Sequence, residues 1–369
     1  MGPPWWQELL SGATVRPALL VRSAVREEIP MRAVMKKTRQ PSAPGRAATV
    51  PALMRAAAID GFGDPSAIAI RTIPVPALGA NEVLIAIDTA GVARWDADMR
   101  AGWVPEGERA RFPLVLGTDG SGVVVARGAR VRRFAVGDRV FAAGFLNPFR
   151  KGGFHAELVA VAAGTTARVP STLDLRRAGA IPITGCTALQ GIDRALGVEK
   201  GETVAIHGAS GGVGTLAVQF AKARGARVFA TASGDDGVEL VLGLGADMAV
   251  DGKQEDLEDA ARAFAPEGFD AALILAGGDA QTIVLGLVRR GGRAAHPNGV
   301  EPAPRKRKGL RLVSYDGDAS SRELARLARV VDADAIDVPI AASFPLDHVA
   351  RAHERLEGRV LGKVVLVVR

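Results

Sequence analysis

The chain is poor in the residues that build covalently stapled and metal-stapled sites. Its 369 residues include one cysteine, Cys186, one tyrosine, Tyr315, and five histidines. One cysteine excludes an internal disulfide and any zinc or iron–sulfur site assembled from several thiolates, and it suits a reducing, cytoplasmic setting. No stretch approaches the about 18 uninterrupted apolar residues of a membrane-spanning helix. Aromatic residues make up only 5% of the chain, which leaves no stacking platform for single-stranded nucleic acid. Apolar and small residues are abundant instead. With 48% hydrophobic residues and 44 glycines, the chain reads as globular and long enough for two domains with full cores.

A formal charge of +7 raises nucleic acid as a partner, and its distribution removes that reading. Residues 1–53 carry eight basic and three acidic side chains, so only +2 remains for the rest of the chain. The same segment holds seven of the 21 prolines and no sustained period. It reads as a mostly unfolded basic extension, with a short helix around Gln7–Leu10. Arg16, Arg22 and Arg26 interrupt every apolar core that a secretory signal would need. Two origins stay open: an Arg-rich organelle transit peptide, and an upstream start with the folded protein beginning at Met54. The second is favoured. A further basic run, Arg305-Lys-Arg-Lys308, reads as a solvated loop.

From Met54 the pattern becomes that of a folded protein. Short strands are expected at Arg55–Asp60, Glu82–Thr89, Val123–Ala126, Arg139–Ala142 and Glu157–Val161, separated by Gly- and Pro-bearing turns. They indicate a small, mostly β domain over about residues 54–178. The period then switches. Strands at Thr203–Ile206, Arg227–Thr231, Ala271–Leu275, Arg293–Ala295 and Leu310–Ser314 alternate with helices at Val213–Arg224, Gly237–Leu244 and Thr282–Arg289. That alternation indicates a parallel sheet covered on both faces. Amphipathic helices at Arg322–Val331 and Asp347–Leu356 and an apolar strand at Lys363–Val368 end the chain.

The most informative segment is Thr203-Val-Ala-Ile-His-Gly-Ala-Ser-Gly-Gly-Val-Gly-Thr215. A strand runs into Gly208, Ser210, Gly211, Gly212, Val213 and Gly214, and a helix with an apolar face follows. Glycines let the backbone approach a ligand closely. The first N–H groups of the helix are unpaired, so a pyrophosphate is the natural occupant. Within a βαβ unit this points to dinucleotide binding. The second strand ends in Thr231-Ala-Ser-Gly-Asp-Asp-Gly237. An acid at Ala232 would bind the ribose diol and repel a 2′-phosphate. Ala232 and Ser233 leave a small neutral pocket with Ser233 as donor, which favours NADP (as NADPH) and leaves NAD open. Asp235 and Asp236 oppose phosphate there, and no Lys or Arg follows nearby in sequence.

Taken in order, these segments resemble the medium-chain dehydrogenase/reductase superfamily, and within it the zinc-independent quinone oxidoreductase or enoyl-reductase-type branch. The likeness also rests on Glu82-Val-Leu-Ile85, Phe112-Pro-Leu-Val-Leu-Gly-Thr-Asp-Gly-Ser-Gly122, Val136-Gly-Asp-Arg-Val140, Ile181-Pro-Ile-Thr-Gly-Cys-Thr-Ala-Leu-Gln190, Arg289-Arg-Gly-Gly-Arg293 and Gly362-Lys-Val-Val-Leu366. It implies a GroES-like catalytic domain over residues 54–178, completed by 318–369. A Rossmann dinucleotide-binding domain over 179–317, a cofactor in the cleft between the two, and a homodimer are implied as well.

The resemblance places the three metal ligands of the zinc-dependent branch at Ala93, Thr118 and Ile183, none of which is a zinc ligand of the usual kind. Cys186 lies three residues past the last of them and is expected to line the cleft as a small residue. The histidines, His155, His207, His296, His348 and His353, form no ligand motif and are expected at the surface. Tyr315 has Ala319, not lysine, four residues on, so the tyrosine–lysine pair of short-chain dehydrogenases is missing too. Hydride transfer to an acceptor already electron-poor, such as a quinone or an enone, is the chemistry left.

In the resemblance Thr187 packs beside the nicotinamide. Gly277, in Ala276-Gly-Gly278, and His296 stand at strand ends that should border the same ring. His296 is the one candidate proton donor, against a plain reading as a histidine satisfied by backbone. Trp95 and Trp103 are candidate walls for a flat substrate, with core or rim packing equally open. A polar anchor usual in the family is absent at Ala93. Beside the reductase stands a second reading, a nucleotide-binding redox sensor or interaction protein with little catalysis. The partner expected is a small electron-poor acceptor, not nucleic acid or a membrane.

Overall fold

The computed structural model describes residues 50–253 and 256–369. The expected extension up to residue 49, including its short helix, lies outside the described residues. β1 (Leu53–Ile59) and β2 (Ile68–Pro74) form an antiparallel pair. β3 (Glu82–Val92) follows as the spine of a larger sheet and runs into helix α1 (Arg94–Ala101). After α1, β4 (Leu114–Val115) returns to β1. β5 (Asp119–Arg127) and β7 (Leu158–Ala162) pair with β3, while β6 (Arg139–Ala143) and β8 (Thr166–Arg168) extend the sheet beyond β5. Ile85, Ile87, Val124, Val140 and Phe154 form its buried centre.

Helix α2 (Pro182–Gln190) leads into a second, all-parallel sheet. In chain order its elements are β9 (Thr203–His207), α3 (Gly212–Ala223), β10 (Arg227–Ala232), α4 (Gly234–Gly243) and β11 (Met248–Asp251). They continue with α5 (Leu257–Phe264), β12 (Phe269–Ile274), α6 (Asp279–Gly286), β13 (Val288–Pro297) and β14 (Arg311–Tyr315). The strand order is β11-β10-β9-β12-β13-β14. Val204, Ile206, Val228 and Ala230 join one core with α3, while Ala205 and Phe229 join another with α5 and α6. Successive strand residues therefore bury opposite faces, which is why these strands read as continuous apolar runs.

The chain then goes back to the first sheet. α7 (Ser321–Asp334) packs Leu324, Leu327 and Val331 into the core beside α2 and α3. β15 (Ile340–Pro345), α8 (Val349–Arg355) and β16 (Lys363–Val367) follow, and β16 pairs antiparallel with β3. The mixed α/β class is as expected. Elements absent from the sequence reading include β2, α1, β4, β8, α2, β11, α5 and β15. α2 is the clearest case, because all nine of its residues are buried, and a helix covered on every side shows no apolar stripe.

The core of the parallel sheet contains a phenylalanine trio. The Phe229 ring lies 5.7 Å from Phe264 and 5.4 Å from Phe269, and Phe229 is fully buried. Phe229→Ala should cost about 3–5 kcal/mol through the cavity it leaves, seen as a lowered denaturant midpoint with the slope unchanged.

Candidate active site

Gly208 turns the chain out of β9 with φ +78°, a conformation natural to glycine. A Cβ at Gly214 would overlap the Gly208 carbonyl oxygen, so the turn closes only with glycine there. Gly211 is the N-cap of α3 and offers no side-chain acceptor to the helix. The first N–H groups of α3, around Gly212, Val213 and Gly214, are thus left for a ligand. A diphosphate fits this cradle through backbone donors and the helix dipole. Ser210 is buried within the loop, and its Oγ accepts the Ser233 amide at 3.2 Å, tying the loop to the end of β10.

At that end α4 begins with Ser233 as N-cap, its hydroxyl making no cap bond. The cation missing from the local sequence is supplied from far along the chain. Arg359, which follows α8, makes a two-pronged pair with Asp236, with Nη2 2.7 Å from Oδ2, and its Nη1 donates to the Ser233 carbonyl. It lies over a hundred residues further along the chain, so no window around Ser233 could reveal it.

The other strand ends are more tightly filled. Thr187 is buried, and its Oγ1 donates to the Ile183 carbonyl at 2.9 Å. Tyr315 Oη donates to the Thr187 carbonyl at 3.0 Å. Gly277 is pressed against Glu301, whose carbonyl oxygen a Cβ there would overlap. His296 is 9% exposed, and its Nδ1 lies 3.1 Å from the Pro297 carbonyl. His207 Nδ1 lies 2.6 Å from Thr231 Oγ1, and burial lowers the pKa of its ring. Cys186 does not line the cleft. It is 1% exposed and packed within the core that α2 shares with α3 and the parallel sheet. Burial pushes its thiol pKa far up, so it is inert.

The facing wall comes from the first sheet and α1. Trp95 Nε1 donates to Thr118 Oγ1 at 2.6 Å, which fixes the indole over one of the positions where the resemblance sets a metal ligand. The Phe145 ring lies 6.3 Å from Trp95 and 6.0 Å from Trp103, and Trp103 is 47% exposed. Trp95 and Trp103 are thus joined into one aromatic wall that runs to the surface, with Phe145, absent from the sequence reading, between them.

Behind this wall lie charged side chains in an apolar setting. Asp96, Asp119, His155 and His353 are fully buried, and Arg100 and Lys363 nearly so. Asp96 accepts the Ala93 amide at 2.9 Å, and Asp119 accepts the Ile183 amide at 3.0 Å. Burial, reinforced by Asp119, pushes the Asp96 carboxyl up to about 8. Burial also raises Asp119, while the Lys363 charge pulls it down. The surface expectation holds for His348 and fails for the other four histidines. His155 and His353 meet edge to face with ring centres 5.7 Å apart, and His155 Nε2 lies 3.0 Å from the Gly91 carbonyl. Burial lowers His155 to about 4, so this pair is neutral at physiological pH. Val349 and His353 are four apart on the buried face of α8, whereas His348 precedes that helix and points outward.

The family model described as alcohol dehydrogenase GroES-like domain matches residues 79–171, and the one described as zinc-binding dehydrogenase matches 244–366. The quinone oxidoreductase of Lama guanicoe is 30% identical over 336 residues, covering 87% of this chain and 100% of that protein. The chain belongs to the medium-chain dehydrogenase/reductase superfamily, on its quinone oxidoreductase branch. It is an oxidoreductase. The human quinone oxidoreductase is 29% identical over 335 residues, covering 87% of this chain and 100% of that protein. Among solved structures, the quinone oxidoreductase from Coxiella burnetii is 30% identical with a TM-score of 0.77, over 86% of this chain and 100% of that one. An NAD-dependent alcohol dehydrogenase is 31% identical with a TM-score of 0.78, over the same shares. A mycobacterial protein complexed with NADPH is 27% identical with a TM-score of 0.74, over 85% of this chain and 100% of that one.

Although one matched family is described as zinc-binding, the donors here do not fit zinc. Ala93 and Ile183 carry no donor atom and Thr118 is engaged by Trp95. Among the described residues no group of three or more His, Cys, Asp or Glu side chains is arranged to hold a metal ion.

The buried acids make stability depend on pH in a definite direction. Folding raises Asp96 from 3.8 to about 8, so its stabilising contribution is complete below 3.8 and is lost as pH rises through 8. His155, lowered from 6.5 to about 4, acts in the opposite sense: its contribution is present above 6.5 and lost as pH falls through 4. Asp96→Asn keeps the acceptor for Ala93. Thermal melts of this variant should lack the wild-type loss of stability between pH 6.5 and 8, a difference of about 1–2 kcal/mol.

Proposed function

We propose that this chain is a zinc-independent, NADPH-dependent reductase of quinones or conjugated enones. The observation that carries it is the pairing of a glycine cradle with a facing aromatic wall that contains no zinc ligand set. When bound, the dihydronicotinamide supplies a hydride. The residues of the chain bind and orient. The loop from Gly208 to Gly214 and the start of α3 hold the diphosphate. Thr187, anchored by Ile183 and Tyr315, packs beside the nicotinamide, and Gly277 lets the Glu301 backbone close in beyond the end of β12. Trp95, Phe145 and Trp103 take the flat faces of an electron-poor acceptor.

Preference for NADPH rests on the ribose end. Ala232 stands where an acid would bind the diol and repel a phosphate, Ser233 has a free hydroxyl, and Arg359 stands beside it. A 2′-phosphate would compete with Asp236 for the guanidinium, as an arginine suits. The NADPH held by the mycobacterial neighbour supports this choice.

The test is to titrate the protein with NADPH and NADH and then follow cofactor oxidation with a panel of quinones and enones. Turnover with NADPH is expected. Tight binding without turnover would favour a redox sensor, and no binding of either cofactor would sink the proposal. Arg359→Ala should weaken NADPH binding by about tenfold or more while leaving NADH binding within about twofold, as loss of a charge-assisted contact to phosphate requires.

A further inference from the structure

Lys363 opens β16 and is 4% exposed, yet among the described residues none accepts a hydrogen bond from its ammonium. The side chain begins at the nucleotide loop. Gly362 bridges to Gly211, the Gly362 amide donates to the Ser210 carbonyl at 2.9 Å, and a Cβ on Gly212 would lie 2.7 Å from Lys363 Cδ. It ends at the aromatic wall, with Nζ 5.7 Å from the centre of the Trp95 ring. Its stem thus lies on the cofactor cradle and its charge on the acceptor wall.

The two neighbouring carboxyls do not use its protons. Asp96 Oδ2 is taken by the Ala93 amide and Asp119 Oδ2 by the Ile183 amide, while Asp119 Oδ1 has no partner and lies against Gly91. Both feel the Lys363 charge, which opposes the rise that burial imposes on them, and neither occupies its donors. An ammonium without a side-chain or carbonyl acceptor among the described residues, placed beside a flat apolar wall, is a hydrogen-bond donor open to an oxygen.

Resting on the reductase reading above, we infer that Lys363 is a catalytic residue that hydrogen-bonds the acceptor's carbonyl oxygen and gives it a proton. For an enone, the incoming hydride forms a C–H bond at the β-carbon, and the C=C and C=O electron pairs shift until a pair rests on oxygen. That oxygen takes a proton from Nζ, leaving a neutral amine and an enol. The enol tautomerises to the saturated ketone, and the amine regains a proton from water. The acceptor gains two electrons and two hydrogens, one as hydride from the bound dihydronicotinamide and one as a proton from Lys363. In a quinone the same proton completes the hydroquinone.

The test compares the unaltered protein with Lys363→Met and Lys363→Arg, using an acceptor from the panel, after melts confirm that each variant is folded. Lys363→Met should lower kcat by roughly 100-fold, in line with loss of one oxyanion donor, and leave the NADPH dissociation constant within about twofold. Lys363→Arg should recover part of the loss. An independent readout is para-nitrophenol, whose phenolate mimics the oxyanion. The unaltered protein should lower its pKa on binding, seen as increased phenolate absorbance, and Lys363→Met should abolish that shift. An unchanged kcat in Lys363→Met beside an active parent would overturn the assignment. So would a defect confined to NADPH affinity, which would put the ammonium on the diphosphate instead. If Lys363→Met does not fold, Lys363→Arg with full kcat and an unshifted phenol would overturn it equally. Failure of the unaltered protein to reduce any acceptor would overturn the reductase reading first, and this assignment with it.

Discussion

The contact on which both halves of the site depend is a close approach of two backbones. The Gly362 amide donates to the Ser210 carbonyl, and Gly362 and Gly211 form an isolated parallel bridge. Gly362 has φ +92°, and a Cβ on it would overlap the Pro339 carbonyl, so the approach requires glycine. Through this contact the last strand of the first sheet is fastened to the nucleotide loop of the second. Arg359 stands three residues before the bridge, at the ribose end, and Lys363 one residue after it, at the wall. One short segment thereby brings a cation to each end of the cleft, although the loop itself contains none.

The cluster of buried charge behind the wall is costly, and its form follows from that cost. An isolated ionised group in an apolar interior shifts toward its neutral form. Asp96 and Asp119 are displaced toward protonation, His155 and His353 toward the free base. At the wall the Lys363 side chain reaches the Trp95 ring, its Nζ 5.7 Å from the ring centre. Gly91 and Gly117 make the cluster possible, since a Cβ at the first would collide with Asp119 and at the second with His155. These polar groups weaken the core that holds them, which points to a role in function more than in stability.

Most of the fold was legible in the sequence because its signals are local. β9, the glycine loop and α3 are contiguous, and strand and helix periods separate the two sheets without ambiguity. Legibility failed wherever the deciding neighbour lies far along the chain. Nothing near Ser233 announces Arg359, and nothing near Cys186 shows which face of α2 is turned to the cleft. The histidines misled for a related reason: His155 lies in a turn, and its burial comes from α8 two hundred residues later. Some signals were present but unread. A lysine opening the apolar run Lys363–Val367, and acids inside Ala93–Arg100 and Thr118–Gly122, are charges placed where a sheet should be dry. Such placements ask for a partner or a use.

Under the proposed reading the acceptor's oxygen is served without a metal. A zinc ion in a dehydrogenase polarises an oxygen and carries its charge through the reaction. At the three positions in question this chain has two apolar side chains and a threonine bound by Trp95, so that oxygen must find its positive charge elsewhere. An acceptor whose double bonds are already conjugated needs less polarisation than an alcohol or a simple ketone. An ammonium has no vacant orbital to polarise an oxygen as a divalent ion does, but as a Brønsted acid it can hydrogen-bond the oxygen and surrender a proton as the electron pair arrives. Apolar side chains at those positions, an aromatic wall and a nearly buried lysine thus fit together under the proposed reading, in which the acceptor is flat and electron-poor.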